Sequence, residues 1–117
     1  MISFTSAQRY FLCRSHTDMR KSFDGLCGLV SAAMNRNIFS GDVFIFINRP
    51  RNRMKLLVWD RSGFVIYYKR LEEGNFELPA VDSNEPGIEL RWEELVLILE
   101  GISLESVKRR KRFSKTA

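Results

Sequence analysis

Apolar positions along this chain switch between the period of a strand and that of a helix. Residues 9–14 (RYFLCR) set a short apolar core between basic flanks and predict a first strand. In the following SHTDMRKSFDGLCGLVSAAMNRN, Met19, Phe23, Leu26, Val30, Ala33 and Met34 recur at helical spacing. Thr17 is the candidate N-cap of that helix, and Asp18 falls in a first turn where an acid complements the helix dipole. Gly25 and Gly28 lower helix propensity, which points to close packing against a sheet. Residues 43–48 (VFIFIN) are almost continuously apolar, as expected for a central strand covered on both faces. NRPRNR then leads into MKLLVWD, and DRSG into FVIYYKR, so three antiparallel strands form a meander with bends at Pro50 and Gly63.

The second bend sets the register of the hairpin. A three-residue loop with Gly63 in the left-handed conformation pairs Asp60 with Phe64, and from there Trp59 with Val65, Leu57 with Tyr67 and Lys55 with Lys69. Trp59 and Tyr67 would then share a face with two opposed lysines, and Met54, Leu56, Val58, Ile66 and Tyr68 would form the core face against the helix. Like charges directly opposite destabilise a sheet, unless the face is exposed or a phosphate backbone or a partner's carboxylates lie over it. Further along, EEGNFELP reads as an edge strand stopped by Pro79, and VDSNEPG as a loop. RWEELVLILEGI reads as a second helix with Trp92, Leu95, Val96, Leu99 and Ile102 inward and Gly101 as its stop. The expected architecture is a single α+β domain over residues 1–107, an antiparallel meander sheet packed by two helices, followed by a basic flexible tail at 108–117.

Composition suits that size: 117 residues at 44% apolar are enough chain for one core, and a net charge of +5 favours an anionic partner. The distribution of charge says more. Residues 48–70 carry seven bases with Asp60 as their only acid, whereas residues 71–105 carry ten acids and one base, Arg91. A last cluster of six bases lies at 108–115, with Phe113 among them and no acid after Glu105.

Catalytic chemistry finds little support. Cys13, Cys27 and the single His16 fall short of the four ligands of a structural zinc site, and Asp18, Asp24, Asp42 and Asp60 lack a metal-binding spacing. Neither a phosphate-cradling glycine loop nor a nucleophile elbow is present. A non-enzymatic protein without metal or cofactor is therefore expected. No apolar run reaches the roughly 18 residues of a membrane span, and no signal-like start precedes the domain, which predicts a cytoplasmic protein with free thiols.

The motifs DMRKSFDGL, VFIFINRPRNRMKLLVWD, YYKRLEEGNFELP and LILEGI resemble the TnpB-type accessory-protein family of insertion-sequence sixty-six elements, over most of the chain from Arg9 to Ile102. Such proteins come from the second open reading frame, beside a separate and larger DDE transposase. The resemblance implies a part in DNA transposition but no assigned reaction. The family pattern falls on Asp18 to Lys21, on the basic turn from Asn48 to Lys55, on Trp59 and Asp60, and on Tyr68 to Glu72. This chain departs from it at Pro50, where a third base is usual, and at Leu78, where a tryptophan tends to precede the proline. Unrelated RNA-guided nucleases share the name, but this chain is too short for them and lacks their zinc-ribbon cysteine pairs.

Candidate DNA contacts are Arg49, Arg51, Arg53 and Lys55 at the turn, Lys69 and Arg70 at the end of the hairpin, and Lys108, Arg109, Arg110, Lys111 and Arg112 in the tail. Neutralising phosphates with such groups releases counterions, and arginine can also fork to phosphate or guanine. The alternative for the turn is a solvated hairpin tip. Trp59 and Tyr67 are candidates for stacking on unpaired bases or for contact with a partner, against plain burial under the C-terminal segment. Arg20 and Lys21 are further candidates, because cations in a helix's first turn oppose its dipole, unless either pairs with Asp24. Two main functions are open: direct binding of element-end DNA, or docking of the transposase or another element-encoded subunit through the acidic half and exposed apolar residues, without direct DNA contact. A single-strand or RNA chaperone is a third.

Overall fold

Residues 43–47 are apolar at every position, and they form the strand around which the rest is arranged. The computed structural model describes residues 4–80 and 84–100. Its strands are β1 (Tyr10–Cys13), β2 (Val43–Ile47), β3 (Arg53–Asp60), β4 (Gly63–Arg70) and β5 (Gly87–Leu90). They lie side by side in the order β4, β3, β2, β1, β5. Helix α1 (Phe23–Gly28), prolonged by a π-helical turn at Leu29–Ala33, links β1 to β2, and α2 (Trp92–Leu99) follows β5.

One helix covers each face. Tyr10, Leu12, Val43, Ile45, Ile47, Met54, Leu56 and Val58 pack under Leu95 and Ile98 of α2, whereas Phe11, Phe44, Phe46 and Leu57 pack under Leu26, Val30 and Met34 of the α1 segment. The alternation of adjacent residues between the two clusters is the two-residue period of a strand, with both faces apolar. Each large side chain so buried contributes about 1.5–3 kcal/mol. Exposed ion pairs such as Arg9 with Glu89 are screened by solvent and add little, so the double-faced core holds the fold.

The α+β class, the β2–β3–β4 meander, the first strand and the buried central strand agree with expectation. The sheet is nevertheless mixed, because β1 pairs with β2 in parallel, Phe11 opposite Phe44, while β5 pairs with β1 antiparallel. The expected edge strand in EEGNFELP is not formed. Residues 75–80 have no regular structure, and the edge strand beside β1 is β5, which starts at the last residue of the expected loop and runs through residues 88–90, for which no element was expected. Phe76 takes a different role: its side chain joins the α2-side core and its N–H donates to the Arg51 carbonyl at 2.6 Å. The α1 helix starts later than expected, with Ser22 as N-cap, because the Thr17 N–H donates to the Ile47 carbonyl and the side chain is buried. Phe23 and Ala33 face solvent. Asn35, at φ 55, ends the helical segment, and the Arg36 N–H reaches back six residues to the Val30 carbonyl, closing the π-helical turn. In α2 it is Ile98 rather than Val96 that is buried, and Ile102, Gly101 and the tail lie outside the described residues.

The hairpin register also differs from expectation. Asp60 pairs with Gly63 across a two-residue turn in which Arg61 takes φ 57, so Trp59 faces Phe64, Leu56 faces Tyr67 and Lys55 faces Tyr68. A one-residue slip moves every β4 side chain to the other face. Lys55 and Lys69 are therefore on opposite faces, and the expected lysine pair does not exist. Lys55 is buried, and its ammonium donates to the Met19 and Lys21 carbonyls at 2.8 Å each while sitting 4.7 Å from the Tyr68 ring centre.

Removing either of two long-range clamps has an expected outcome. Lys55→Met leaves two carbonyls without their donor and should lower unfolding free energy by about 1–3 kcal/mol, with faster hydrogen exchange confined to residues 18–22. Phe76→Ala should cost about 3–5 kcal/mol in a denaturant titration, although residues 75–80 carry no regular structure.

Candidate nucleic-acid interface

Because β1 and β2 run parallel and β3 returns antiparallel, the segment after β1 and the turn after β2 leave the sheet at the same end. The β2–β3 turn is fixed by Asn48, whose Oδ1 accepts from the Asn52 and Arg53 N–H groups at 3.0 Å each and whose Nδ2 donates to Asn52 Oδ1 at 2.8 Å. Arg51 takes φ 60 there, a conformation that L residues adopt at a cost. Residues of the following segment brace it: the Asn75 amide donates to the Pro50 carbonyl, and the Leu71 N–H donates to the Asn52 carbonyl at 2.8 Å. Arg49, Arg51 and Arg53 thus project from a backbone that is held on several sides.

Across from the turn lies the segment between β1 and α1, with its backbone held by Lys55. Between the two is an open recess of about 620 Å³ lined by His16, Arg20, Arg49, Arg53 and Tyr68, with Asp18 as its only acid among the described residues. Asp18 accepts from the Arg20 backbone N–H at 2.9 Å and from its guanidinium at 2.7 Å. Those hydrogen bonds hold the Asp18 carboxyl down to about 2, so it is ionised at neutral pH and paired with Arg20. The expected pairing with Asp24 is not formed. Arg49 and Arg53 have no ion-pair partner among the described residues, and Arg53 Nη1 lies 3.4 Å from the Tyr68 hydroxyl. Thr17 also lines the recess, and its buried hydroxyl, beside the Cys13 thiol, has no hydrogen-bond partner of sound geometry.

Not every expected contact belongs to this surface. Lys55 is buried under it, Lys69 donates to the Leu99 carbonyl at 2.6 Å, and Arg70 pairs with Glu72 at 2.9 Å. Arg51 turns toward a second hollow, of about 910 Å³, in which Arg14 and Arg91 are matched by Glu77, Glu93 and Glu94. Lys21 is exposed next to Arg20, with its carbonyl held by Lys55. Trp59 and Tyr67 do not form one platform, because they lie on opposite faces. Trp59 packs edge-on against Phe64 and Phe39 at 5.0 and 5.1 Å, and Tyr67 packs against Phe4 at 5.8 Å. Lys108, Arg109, Arg110, Lys111 and Arg112 lie outside the described residues.

Sequence reasoning did not bring His16 or Tyr68 to the turn. His16 precedes a helix that starts later than its periodicity suggests, and Tyr68 was assigned to the core face by the slipped register. The available signal was the basic pair Arg20 and Lys21 beside His16, in a segment that must connect parallel strands. Burial pushes the Cys13 and Cys27 thiols up, so both remain protonated near neutral pH. Among the described residues no three His, Cys, Asp or Glu side chains gather as a metal would require, and no helix is long and apolar enough to cross a membrane.

Comparison with known proteins places these features in a family. The family model described as IS66 Orf2 like protein matches residues 8–109. Uncharacterized protein y4jC of Sinorhizobium fredii (strain NBRC 101917 / NGR234) is 31% identical over 119 residues, covering 100% of both chains. Uncharacterized protein y4hO of the same strain is 30% identical over 94 residues, 80% of each chain. No solved structure matches this chain. The match spans the central strand, the arginine turn and both helices, and the chain belongs to the IS66 Orf2-like family, and with it to the accessory proteins of insertion-sequence transposition.

Proposed function

We propose that this protein is a non-enzymatic accessory factor of transposition that binds DNA at the arginine-lined end of its sheet. The observation that carries the reading is the convergence of Arg49 and Arg53 with Arg20 and His16 around a recess whose only acid, Asp18, is already paired. A fixed cationic surface gains affinity by releasing counterions from phosphates, and a turn braced by Asn48 loses little conformational freedom on binding. Lys21 is exposed beside Arg20, and Lys108, Arg109, Arg110, Lys111 and Arg112 in the tail add sequence-independent attraction. Lys55 acts beneath the surface as a positioning residue.

Docking of the separate transposase is a second reading, supported by the exposed Phe39 beside Trp59 and Phe64. Aromatic clusters of this kind are enriched at protein interfaces. Co-purification of the transposase that is lost with Phe39→Ser, at unchanged DNA affinity, is the outcome this reading requires.

Anisotropy titration of element-end and scrambled duplexes across a salt series tests the DNA reading. Affinity should fall linearly on a log-log plot, and Arg49→Ala and Arg53→Ala should each reduce the slope by about 0.9. Truncation before Lys108 should lower affinity on both duplexes alike. Salt-independent binding, or a slope unchanged by both arginine substitutions, contradicts direct phosphate contact.

A further inference from the structure

The recess beneath the arginine turn has the dimensions and lining of a subsite for one nucleotide rather than for a double helix. Its volume of about 620 Å³ falls within the range of small-ligand sites. A duplex, whose major groove alone is about 12 Å wide, can lie over it but cannot enter it. Two kinds of group line the recess. Arg49 and Arg53 supply cationic donors without acidic partners among the described residues, and Tyr68 supplies an aromatic ring that is 48% exposed on the outermost strand of the sheet. The Tyr68 hydroxyl, 3.4 Å from Arg53, joins the two into one wall. The buried Lys55 ammonium, 4.7 Å from the ring centre, supports Tyr68 from within the fold. The same ammonium holds the backbone carrying Arg20 through the Met19 and Lys21 carbonyls, so a single side chain positions both sides of the recess.

We propose that this recess binds an unpaired DNA nucleotide, its phosphate held by Arg49 and Arg53 and its base stacked on the exposed ring of Tyr68. The proposal rests on the DNA-binding reading and narrows it. Arginine contacts serve paired and unpaired DNA alike, because both carry the same phosphates. A tyrosine face is available only to a base that has left its own stack, as at a single-stranded end or overhang. Sequence preference is not expected from such a contact, since every base has a π-face. Trp59 and Tyr67 have no part in it. Trp59 is covered by Phe39 and Phe64, and Tyr67 is on the other face of the sheet.

The test is anisotropy titration of the full chain with three labelled probes of one sequence: a single-stranded oligonucleotide, a blunt duplex, and a duplex with an unpaired overhang. Tyr68→Leu should weaken binding to the single strand and the overhang by about tenfold, and change blunt-duplex binding by less than about twofold. Tyr68→Trp, which keeps an aromatic face, should restore the preference for unpaired ends, and Arg49→Ala should weaken all three probes. Thermal melting of each variant checks that the fold is intact. Wild-type protein that binds blunt duplex as well as unpaired ends, or a Tyr68→Leu variant that loses nothing or loses all probes equally, overturns the subsite while leaving DNA binding itself standing. Absence of binding to any probe overturns both, and a fourth probe, the RNA strand of the same sequence, overturns the assignment to DNA if it binds more tightly than the single-stranded DNA.

Discussion

The parallel pairing of β1 with β2 is the constraint on which the rest of this molecule depends. Parallel neighbours cannot be joined by a tight turn, so the chain must leave the sheet, cross one face and return. The crossing segment carries α1, and Leu26, Val30 and Met34 cover Phe11, Phe44, Phe46 and Leu57. Once β1 and β2 are central and one face is covered, the other face also needs a cover, which α2 supplies after β5 has closed the sheet on the far side of β1. The same pairing sends two otherwise distant segments out of one end of the sheet. Residues 14–22 and 48–52 meet there only because their preceding strands point the same way.

Within that frame the buried cation Lys55 links the core to the arginine-lined recess. A lysine ammonium taken out of water is tolerated when its donors are matched, and here two backbone carbonyls and a tyrosine ring face it. The acceptors belong to a segment with no regular structure over residues 18–22, so the hydrogen bonds take the place of a helical or sheet ladder in holding that backbone. On the opposite face, Lys69 performs a comparable service for α2, where its ammonium meets the Leu99 carbonyl near the negative end of the helix dipole. Two of the bases in this hairpin are thus part of the scaffold. The charge left to face solvent at the turn comes from arginines, whose planar guanidinium groups are suited to phosphate.

The second hollow is balanced in charge among the described residues, unlike the recess at the turn. The acidic second half places Glu77, Glu93 and Glu94 around the hollow that Arg14, Arg51 and Arg91 enter, which balances the charge there. Asp18 is the one acid at the recess, and its bidentate contact with Arg20 orients that guanidinium while reducing its net charge. The aromatic group of Phe39, Trp59 and Phe64 lies toward the β3–β4 turn, at the opposite end of β3 from Arg53. Two surfaces of different chemistry are therefore separated along one hairpin.

Local chemistry was sufficient to make much of this legible. The near-continuous apolar run at 43–48 implied a strand with two covered faces, and the meander after it followed from turn residues and alternation. The family was readable from DMRKSFDGL and VFIFINRPRNRMKLLVWD, since these motifs carry both core and turn. Tertiary structure decided what depends on distant partners. The hairpin register depended on whether Arg61 or Gly63 took the left-handed position, a choice settled by the whole length of β3 against β4, and it reversed the faces of Tyr67 and Tyr68. Thr17 matched the pattern of a helix cap but joined its backbone to Ile47 instead, which delayed α1 and freed the Asp18–Arg20 turn. Lys55 looked like one more exposed base because no sequence pattern encodes two carbonyl acceptors 34 and 36 residues away. Sequence alone determined which segments are apolar, which are turns and where charge accumulates, because those properties are local. Which cations reach solvent, and which face one another across a recess, was decided only by the long-range pairing of the strands that carry them.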